Sequence, residues 1–412
     1  MSLFRPETLS RRIEGVAAAC YPALMTRAFS PRFAVTAVFA VFGVIGGLIS
    51  GAIPTIAKSV RLDELQLGVA FTLLIFTNVA AMILAGRLAR WLSVRKALLL
   101  SIPAIAFCAS ALLLSGHMVL TVVALAGLGA SQGLTDVFMN AEGSNIETDL
   151  AKPIFSSLHA SVSITVGIAA IAGSMLVVGI APAAAIPIIV LSAVAGMALV
   201  WRATPYRIPS AQAVSTAQPE LGSRWPLIFI GLAFGLENAG ELAALFWSAR
   251  LLDEAAPNLA AIAGIGPAFY AGCNALMRLR GDGLRARFGD RNVIIGSMLV
   301  AAAGFAGVGL VESFTLRVIA FAVVGFGTAC FVPCLFAIVT NNAGTERASR
   351  LGFMAMLSGP PRIISPLLFG WIAQHASLGP AFGLCSVLMI SALGLFLLSE
   401  AITVRPAVSQ VS

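Results

Sequence analysis

Long runs of apolar residues, separated by short polar breaks, extend along almost the whole chain. An α-helix needs ~20 mostly apolar residues to cross the hydrocarbon core of a bilayer, so about twelve of these runs are predicted to be membrane-spanning helices. They lie near residues 33–57, 67–86, 97–115, 118–141, 157–180, 184–202, 225–249, 259–279, 292–311, 315–340, 351–373 and 380–400. The pattern therefore predicts an all-α polytopic membrane protein.

A basic sequence occurs twice, each time between two apolar runs. The first copy extends from Gly86 to Lys96 and the second from Gly281 to Arg291. The offset is close to half the chain, and the hydropathy around the two copies is similar, which is typical of transporters built from two related bundles. The sequence thus predicts two pseudo-symmetric six-helix bundles and favours a transporter.

These patterns divide the chain into five segments. We predict a cytoplasmic N-terminal arm at 1–32, a first bundle at 33–201, a cytoplasmic linker at 202–224, a second bundle at 225–401 and a cytoplasmic tail at 402–412. The linker is rich in Pro, Ser, Gln and Ala, which is typical of a flexible connection. Connections on the other side are short, so we expect the function to lie within the bundles.

The composition supports a membrane protein. Hydrophobic residues make up 59% of the chain and charged residues 11%, and the mean hydropathy is +0.96, which excludes a water-soluble globule of this length. The net charge of +8 would favour nucleic-acid binding in a soluble protein. Most Lys and Arg residues, however, fall on one side of the predicted helices. This bias predicts a multi-pass protein of the cytoplasmic (inner) membrane, with both termini cytoplasmic and no nucleic-acid partner.

The sequence gives no sign of a metal site, a cofactor or an enzyme. The six Cys residues lie in or beside apolar runs and are interpreted as small buried hydrophobes. His-rich tracts, Cys pairs and a Gly-x-x-x-x-Gly-Lys motif are missing from the sequence. A sensor normally needs a soluble output segment, and the tail is short. We therefore expect a monomer whose partners are the lipid bilayer, protons and a small-molecule substrate.

Few charged residues lie inside the predicted spans. A charged side chain at the bilayer centre costs ~2.5–3.5 kcal/mol on insertion scales, so each should face a partner, a cavity or the bundle interior. The charged residues are Asp136, Glu237, Glu241 and Arg362, and the polar residues that accompany them are Gln132, Asn140, His159, Asn238, Tyr270 and Asn274. They are the candidates for proton coupling or substrate binding.

Asp136 and Asn140 are four residues apart and therefore share one helical face. His159 follows a short inner loop and is predicted to lie at a similar depth. An acid and an imidazole that meet in a partly dry cavity can pass a proton. Asp136 is interpreted as a proton or substrate site, and a structural bond between helices is the alternative. For His159, both roles stay open.

Glu237 and Glu241 repeat the four-residue spacing near the middle of the seventh span. Two carboxylates on one face in a poor dielectric cannot easily both ionise, so either one is protonated or they share a cation. Arg362, near the centre of its own span, is the expected partner. The three residues would then form a substrate clamp or a charge relay, with a static buried salt bridge as the alternative.

The two basic loops have a mechanical interpretation. Their charged side chains can meet helix C-termini and acids of a neighbouring bundle and so latch one access state on the inner side. Positive-inside anchoring is the alternative. We expect neutralising Asp282 to disturb transport more than neutralising Arg90. The candidate latch residues are Arg87, Arg90, Arg95, Asp282, Arg285, Arg287 and Arg291.

The basic loops resemble the loop signature of the major facilitator superfamily, Gly-x-Leu-Ala-Asp-Arg-x-Gly-Arg-Arg. Over nearly the whole chain, the sequence is similar to the fucose-permease-like branch of that superfamily and its bacterial inner-membrane relatives. The resemblance implies the major facilitator fold, with twelve transmembrane helices in two six-helix bundles. The residues that carry it are Ile53-Pro54, Leu65 to Gly68, Ala85 to Leu88, Asp136 to Asn140 with Glu147, Pro153 to His159, Trp247 to Ala249, Arg280 to Asp282, Gly325 to Ala329 and Pro333 to Phe336.

The resemblance also implies roles for single residues. Asp136 matches the fourth-span acid that fucose permeases use in proton coupling, and Asn140 matches the Asn that follows it. Glu241 matches the Glu that opens the branch's Glu-Gly-Ala-x-x-Asp-Trp-Ser motif. Ala52 and Phe246 stand where the branch has Arg and Asp, so we expect an apolar outer gate. The first span has no counterpart of fucose permease's acid, so L-fucose is not the expected substrate.

We therefore predict a secondary active transporter that moves a small polar organic solute by alternating access. Proton-coupled symport of a sugar, a polyol or a related metabolite is the expected activity. A proton-driven exporter of a metabolite or drug is the alternative, and a transporter-derived membrane sensor is a remote one.

Overall fold

A computed structural model describes residues 30–150, 154–203, 225–340 and 347–403. In these residues the chain forms twelve α-helices, and short 3-10 turns at Pro182–Ala185 and Pro257–Ile262 precede two of them. The helices are α1 Pro31–Ser59, α2 Glu64–Leu88, α3 Val94–Leu113, α4 Met118–Leu150, α5 Phe155–Gly179, α6 Ile186–Arg202, α7 Trp225–Ala255, α8 Ile265–Leu310, α9 Phe314–Thr328, α10 Phe331–Thr340, α11 Arg347–His375 and α12 Leu378–Thr403. The predicted all-α polytopic fold is confirmed. Most of the N-terminal arm, the linker and the tail lie outside the described residues.

Ten helical stretches of the described chain are long and apolar enough to cross a membrane. One of them, Pro257–Leu310, has 54 residues, which is too long for a single crossing. Helix α11 has the length of a span but is less apolar, because it contains three Pro residues and Arg362. The positions of the helices match the predicted spans.

Helix α8 supplies the eighth and ninth predicted spans as one bent element. The bend is at Gly289, whose φ of 76° lies in the left-handed region that glycine adopts at little cost. In helix α9, a Cβ on Gly325 would meet the backbone of Tyr270, and a Cβ on Gly327 would meet that of Ala301. Tyr270 and Ala301 both belong to α8, and in a straight helix they would lie ~46 Å apart. The two halves of α8 therefore lie side by side.

The tenth predicted span is divided between α9 and α10. Helix α9 ends at Thr328 and α10 begins at Phe331. Pro333 has no N–H group to donate to the carbonyl four residues earlier, so the helical hydrogen-bond ladder is interrupted at this point. The polar residue that ends α9, Thr328, belongs to the candidate site described below.

The helices pack as two bundles, α1–α6 and α7–α12. In the first bundle α1 packs against α5 and α2 packs against α4, and in the second α8 packs against α9 and α12. The bundles meet mainly where α5 crosses α8 and where α2 crosses α11. We call the end of the helices at which α1 begins and α12 ends the terminal end, and the opposite end the distal end.

Glycine allows the close crossing of α2 and α11. A Cβ on Gly68 would lie 2.6 Å from the carbonyl oxygen of Pro366, and a Cβ on Gly370 would lie 2.8 Å from the Cα of Gly68. Small residues allow such backbone approach in membrane proteins. Nearby, Gln374 Oε1 accepts a hydrogen bond of 3.1 Å from the backbone N–H of Glu64. The two bundles are thus in close contact toward the distal end.

Candidate functional site

Glu241, near the middle of α7, is the centre of a polar cluster. The Tyr270 hydroxyl donates a hydrogen bond of 2.8 Å to its Oε1 atom, and Asn274 Nδ2 donates to the same atom at 3.5 Å. Arg278 Nη2 forms an ion pair with this oxygen at 3.7 Å. The three donors are spaced four residues apart on α8 and share one face of that helix. We call Glu237, Glu241, Tyr270, Asn274 and Arg278 the acidic cluster.

Glu237 lies one turn before Glu241 and is completely buried. Asn238 Nδ2 donates a hydrogen bond of 3.3 Å to Glu237 Oε2, whereas Glu237 Oε1 is buried without a hydrogen-bond partner. Asn274 Nδ2 ties the cluster to α9 through a hydrogen bond of 3.1 Å to Thr328 Oγ1. The cluster therefore places two acidic side chains one helical turn apart, away from bulk water.

The ion partner of Glu241 is Arg278, so the prediction that Arg362 pairs directly with the two acids is wrong. The sequence pattern places Arg278 with the basic inner loop, because Arg280 and further basic residues follow it closely. A signal for its true position was nevertheless available. Arg278 continues the four-residue spacing of Tyr270 and Asn274 and must therefore share their helical face.

Arg278 also connects the two bundles. Its Nη1 atom donates a hydrogen bond of 3.4 Å to Ser163 Oγ on α5. Its charge also acts on His159, one turn before that serine. A single side chain of the second bundle therefore contacts an acid of its own bundle and a helix of the other.

Arg362, on α11, lies close enough to Asp136, Glu241 and Glu237 for its charge to interact with all three acids. Helix α4, which carries Asp136, packs against α1, α2, α3 and α5 in its own bundle. The interaction between Asp136 and Arg362 therefore crosses the space between the bundles. It is the electrostatic link between α4 and the acidic cluster.

Asp136 makes its direct bonds within α4. Asn140 Nδ2 donates to the Asp136 carbonyl oxygen at 2.8 Å and to Asp136 Oδ1 at 2.9 Å. Gln132 precedes Asp136 by one turn and is half-buried. The three residues form a polar stripe along one face of α4.

His159 does not meet Asp136. Its ring packs edge-on against Phe39, with ring centroids 5.4 Å apart, and is stacked on Phe155 at 5.8 Å. In the described part of the chain, no hydrogen bond or ion pair joins His159 to Asp136. The two side chains therefore make no direct contact in this conformation, because equal depth in the membrane does not fix which face of α5 the imidazole occupies. Proton exchange between them stays a prediction.

Ion pairs join the bundles at the distal end. Arg250 Nη2 of α7 lies 2.6 Å from Glu64 Oε1 of α2, and their side chains are only 14% and 15% exposed. Lys58 Nζ of α1 lies 2.6 Å from Asp253 Oδ2 of α7, and the Asp253 side chain is 2% exposed. We call Arg250, Glu64, Lys58 and Asp253 the distal ion pairs.

The expected apolar outer gate is therefore only partly correct. Phe71 of α2 stacks on Phe246 of α7, with ring centroids 4.7 Å apart, and Trp247 meets Phe71 edge-on at 5.6 Å. The loss of charge at Ala52 and Phe246 does leave apolar contacts there. The distal ion pairs, one to two turns further along α7, supply the charged contacts instead.

The second basic loop makes its ion pairs within its own bundle. Arg285 Nε lies 2.6 Å from Asp290 Oδ1, and Arg285 Nη1 lies 3.3 Å from the more exposed Asp282. Arg291 Nε lies 2.9 Å from Glu400 Oε2 on α12. Among the described residues, these pairs brace the second bundle and do not bridge to the first.

The remaining latch candidates also lie at the terminal end. Arg95 Nη2 donates a hydrogen bond to the Trp201 carbonyl oxygen near the end of α6, within the first bundle. Arg87 and Arg90 are exposed. Arg287 is exposed and lies over the Phe288 ring, 5.1 Å from its centroid. A role of these residues in access stays a prediction.

Several solved structures of transporters have a similar fold. A variant of the nucleoside transporter NupG superposes with a TM-score of 0.73 and 14% identity, covering 90% of this chain and 100% of that one. The human organic anion transporter MFSD10 gives a TM-score of 0.61 at 17% identity over 89% of this chain and 99% of that one. The E. coli fucose:proton symporter FucP gives 0.57 at 16% identity over 90% and 98%. At these identities the likeness concerns the fold.

Sequence comparisons agree with the fold. The model of the Major Facilitator Superfamily matches residues 255–411. An uncharacterised transporter of Sinorhizobium fredii is 26% identical over 364 residues, which cover 87% of this chain and 95% of the relative. An uncharacterised transporter of Yersinia pestis is 27% identical over 353 residues, covering 82% and 88%. Together these findings support a transporter of the major facilitator superfamily.

Glu147 holds the start of the helix that carries His159. Glu147 Oε2 accepts hydrogen bonds from the backbone N–H groups of Ile154, at 2.7 Å, and Phe155, at 2.9 Å. The first N–H groups of an α-helix have no partner within the helix, and a carboxylate there also interacts favourably with the helix dipole. Glu147 therefore joins α4 to the start of α5.

We expect Glu147→Ala to lower the free energy of unfolding by about 1–3 kcal/mol, because two N–H groups lose a charged acceptor. Thermal unfolding of the purified protein in detergent measures the effect. Asp149→Asn is the matched control, since Asp149 is an exposed acid near the end of the same helix. Equal melting temperatures for the two variants would show that the capping bonds contribute little.

Proposed function

We propose that this transporter imports a small polar organic solute, such as a sugar, a polyol or a related metabolite, together with protons. The acidic cluster, Asp136 and Arg362 carry this proposal, because charged side chains near the centre of a span are expensive unless they serve transport or are fully paired. Glu237 is fully buried with one unpartnered oxygen, which a purely structural bridge does not require. The terminal end would face the cytoplasm of a bacterial cell.

The arrangement of the bundles supports alternating access. The distal ion pairs and the crossing at Gly68 close the space between the bundles at the distal end. At the terminal end, the described ion pairs of the second basic loop stay within one bundle. A solute would therefore reach Arg362 and Asp136 from the terminal end in this conformation, and opening of the distal contacts would expose them to the other side.

The structural neighbours support a polar solute. NupG transports nucleosides and FucP is a fucose:proton symporter. Both substrates carry several hydroxyl groups, and the described site offers donors and acceptors to match, from Gln132, Asn140, Asn238, Tyr270 and Asn274. The same site could operate in the opposite direction, as a proton-driven exporter, and the direction of proton movement distinguishes the two.

We expect Asp136→Asn to lower proton-driven accumulation of solute about tenfold or more. This change is equivalent to at least ~1.4 kcal/mol in the free energy that drives accumulation. The amide keeps the shape and the bond with Asn140 but cannot release a proton. Exchange of labelled for unlabelled solute, which needs no net proton movement, should persist.

The test uses the purified protein in vesicles with an internal pH dye. A thermal-stability screen against sugars, polyols, organic acids and amines first identifies a solute that binds. Solute and protons entering together support import, and opposite movement supports the exporter. Asp149→Asn again serves as the control. Solute transport without proton movement, or unchanged pH dependence in Asp136→Asn, would remove proton coupling at this residue.

A further inference from the structure

Arg362 is a half-buried cation without a direct partner in the described part of the chain. In the described part of the chain no ion pair or hydrogen bond reaches its guanidinium group, and Nε is sealed from solvent without an acceptor. The side chain as a whole is half-buried, so part of it remains accessible. Arg250 and Arg278, by contrast, both form ion pairs. A guanidinium left open in this way is a forked donor that matches the geometry of a carboxylate.

The charges around Arg362 determine when it can accept an anion. Helix α7 supplies Glu237 and Glu241, and α4 supplies Asp136 from across the gap. When these acids are all ionised, they outnumber the nearby arginines and an anion is repelled. Helix α8 contributes Arg278, and this cation is already paired with Glu241. Among the described residues, α2, α10 and α12 bring no charged side chain near the middle of their spans.

Protonation reverses this balance. When Asp136 and Glu237 each hold a proton, the pair of Arg278 and Glu241 remains neutral and Arg362 carries the one unbalanced charge. An unbalanced cation in a poor dielectric attracts an anion strongly. His159 packs against Phe39 of α1 and Phe155 of α5 and interacts with the charge of Arg278, so it does not compete for Arg362.

We propose that Arg362 binds the carboxylate of the transported solute, which makes the substrate a small hydroxylated organic acid. This inference rests on the proposed function and specifies its substrate class. The hydroxyl groups of the acid would bond to the polar stripe of α4 and to the acidic cluster. Proton coupling then follows from charge balance, because the acid binds only after Asp136 and Glu237 have taken up protons.

The experiment compares pairs of solutes that differ only in the carboxylate. Gluconate is paired with sorbitol, xylonate with xylitol, and glycerate with glycerol. Binding to the purified wild-type protein is measured by thermal shift and calorimetry at mildly acidic and mildly alkaline pH. We expect at least one acid to bind, to bind more tightly at acidic pH, and to exceed its matched polyol by about tenfold or more.

Variants identify the group responsible. Arg362→Gln should lose about tenfold or more in affinity for the acid, and Arg362→Lys should keep part of it, because Lys retains the charge without the fork. Asp136→Asn should bind the acid with a weaker dependence on pH, since one acid is then permanently neutral. Arg280→Gln is the control, because Arg280 is exposed two residues beyond Arg278 on α8.

Several outcomes would overturn the inference. These are no binding of any acid, equal binding of an acid and its polyol, or discrimination that survives in Arg362→Gln. If Arg362→Gln does not fold, unchanged pH dependence in Asp136→Asn together with unchanged affinity in Arg362→Lys counts against it equally. Proton-coupled uptake of a polyol would overturn the carboxylate role of Arg362 and leave the proposed transport function standing.

Discussion

Arg278→Gln is expected to lower proton-coupled transport about a hundredfold, equivalent to about 3 kcal/mol, because it removes one partner of a half-buried ion pair. Glu241 would lose its cation and remain beside Glu237 in a poor dielectric. The simplest relief is for the acidic cluster to keep a proton permanently. A cluster that never releases its proton cannot couple solute movement to a proton gradient.

Arg280→Gln is the matched control for this prediction. Both residues are arginines on α8, but Arg280 is exposed whereas the Arg278 side chain is 19% exposed and bonded to Glu241 and Ser163. Initial rates of uptake into vesicles, with and without an imposed pH gradient, measure the effect. We expect Arg278→Gln to lose the response to the gradient and Arg280→Gln to keep it.

A double variant separates charge from folding. Glu241→Gln together with Arg278→Gln removes both charges and leaves no orphaned ion, so its melting temperature should be nearer that of wild type than the melting temperature of Arg278→Gln alone. Coupling should stay lost, because Glu241 can no longer exchange a proton. Full gradient-driven uptake in Arg278→Gln would instead mean that the ion pair of Arg278 and Glu241 has only a structural role.

The sequence predicts much of the fold because lipid imposes a strict rule. Every span must be apolar and helical, since backbone groups have no water to bond. The runs that give α1–α7 are therefore visible without any tertiary information. The bend at Gly289 and the break before Pro333 fall within or between predicted spans, and only packing against neighbouring helices determines how the chain turns there.

The same rule explains which site residues are predictable. Asp136, Glu241 and Arg362 stand out because each is a charged residue inside an apolar run, where its insertion into the membrane costs free energy. Arg278 does not stand out, because it lies near the end of its span, where positive charge is common. Its partner Glu241 is on another helix, and pairing between helices is a long-range property that spacing along one helix cannot supply.

The distal ion pairs illustrate the other limit. Glu64 and Asp253 lie near helix ends, where charged residues are common and need no functional reason. Their positions in the sequence therefore do not mark them as site residues. Their partners are far away in the chain and in the opposite bundle. The apolar substitutions at Ala52 and Phe246 are visible, but the charged contacts that replace the lost pair depend on how the bundles close.

Breaking the pair of Arg250 and Glu64 should shift the protein toward a conformation that is open at the distal end. The pair joins α7 to α2, and both side chains are largely buried, so it should stabilise the closed distal end more than an exposed pair would. We expect Arg250→Gln to increase the distal-open population about tenfold or more, since ~1.4 kcal/mol corresponds to a factor of ten.

Spin labels at the distal end measure this shift. His117 and Glu312 are exposed and lie at the distal end of the first and second bundles, respectively. Cysteines introduced at these two positions, in a background without the native cysteines, report the distance between the bundles. Arg250→Gln should add a population at longer distance. Arg317→Gln is a useful control, because Arg317 bonds to the Val311 carbonyl oxygen within its own bundle.

A charge exchange distinguishes a specific contact from general repulsion. Arg250→Glu should open the distal end further than Arg250→Gln, because Glu64 and the new acid would repel each other. Adding Glu64→Arg to that variant should restore the short distance, since the ion pair is rebuilt with its partners exchanged. The pair would have no role in access if the distance distribution were the same in all of these variants. Among the described residues, Lys58 and Asp253 would then be the remaining ion pair between the bundles at the distal end.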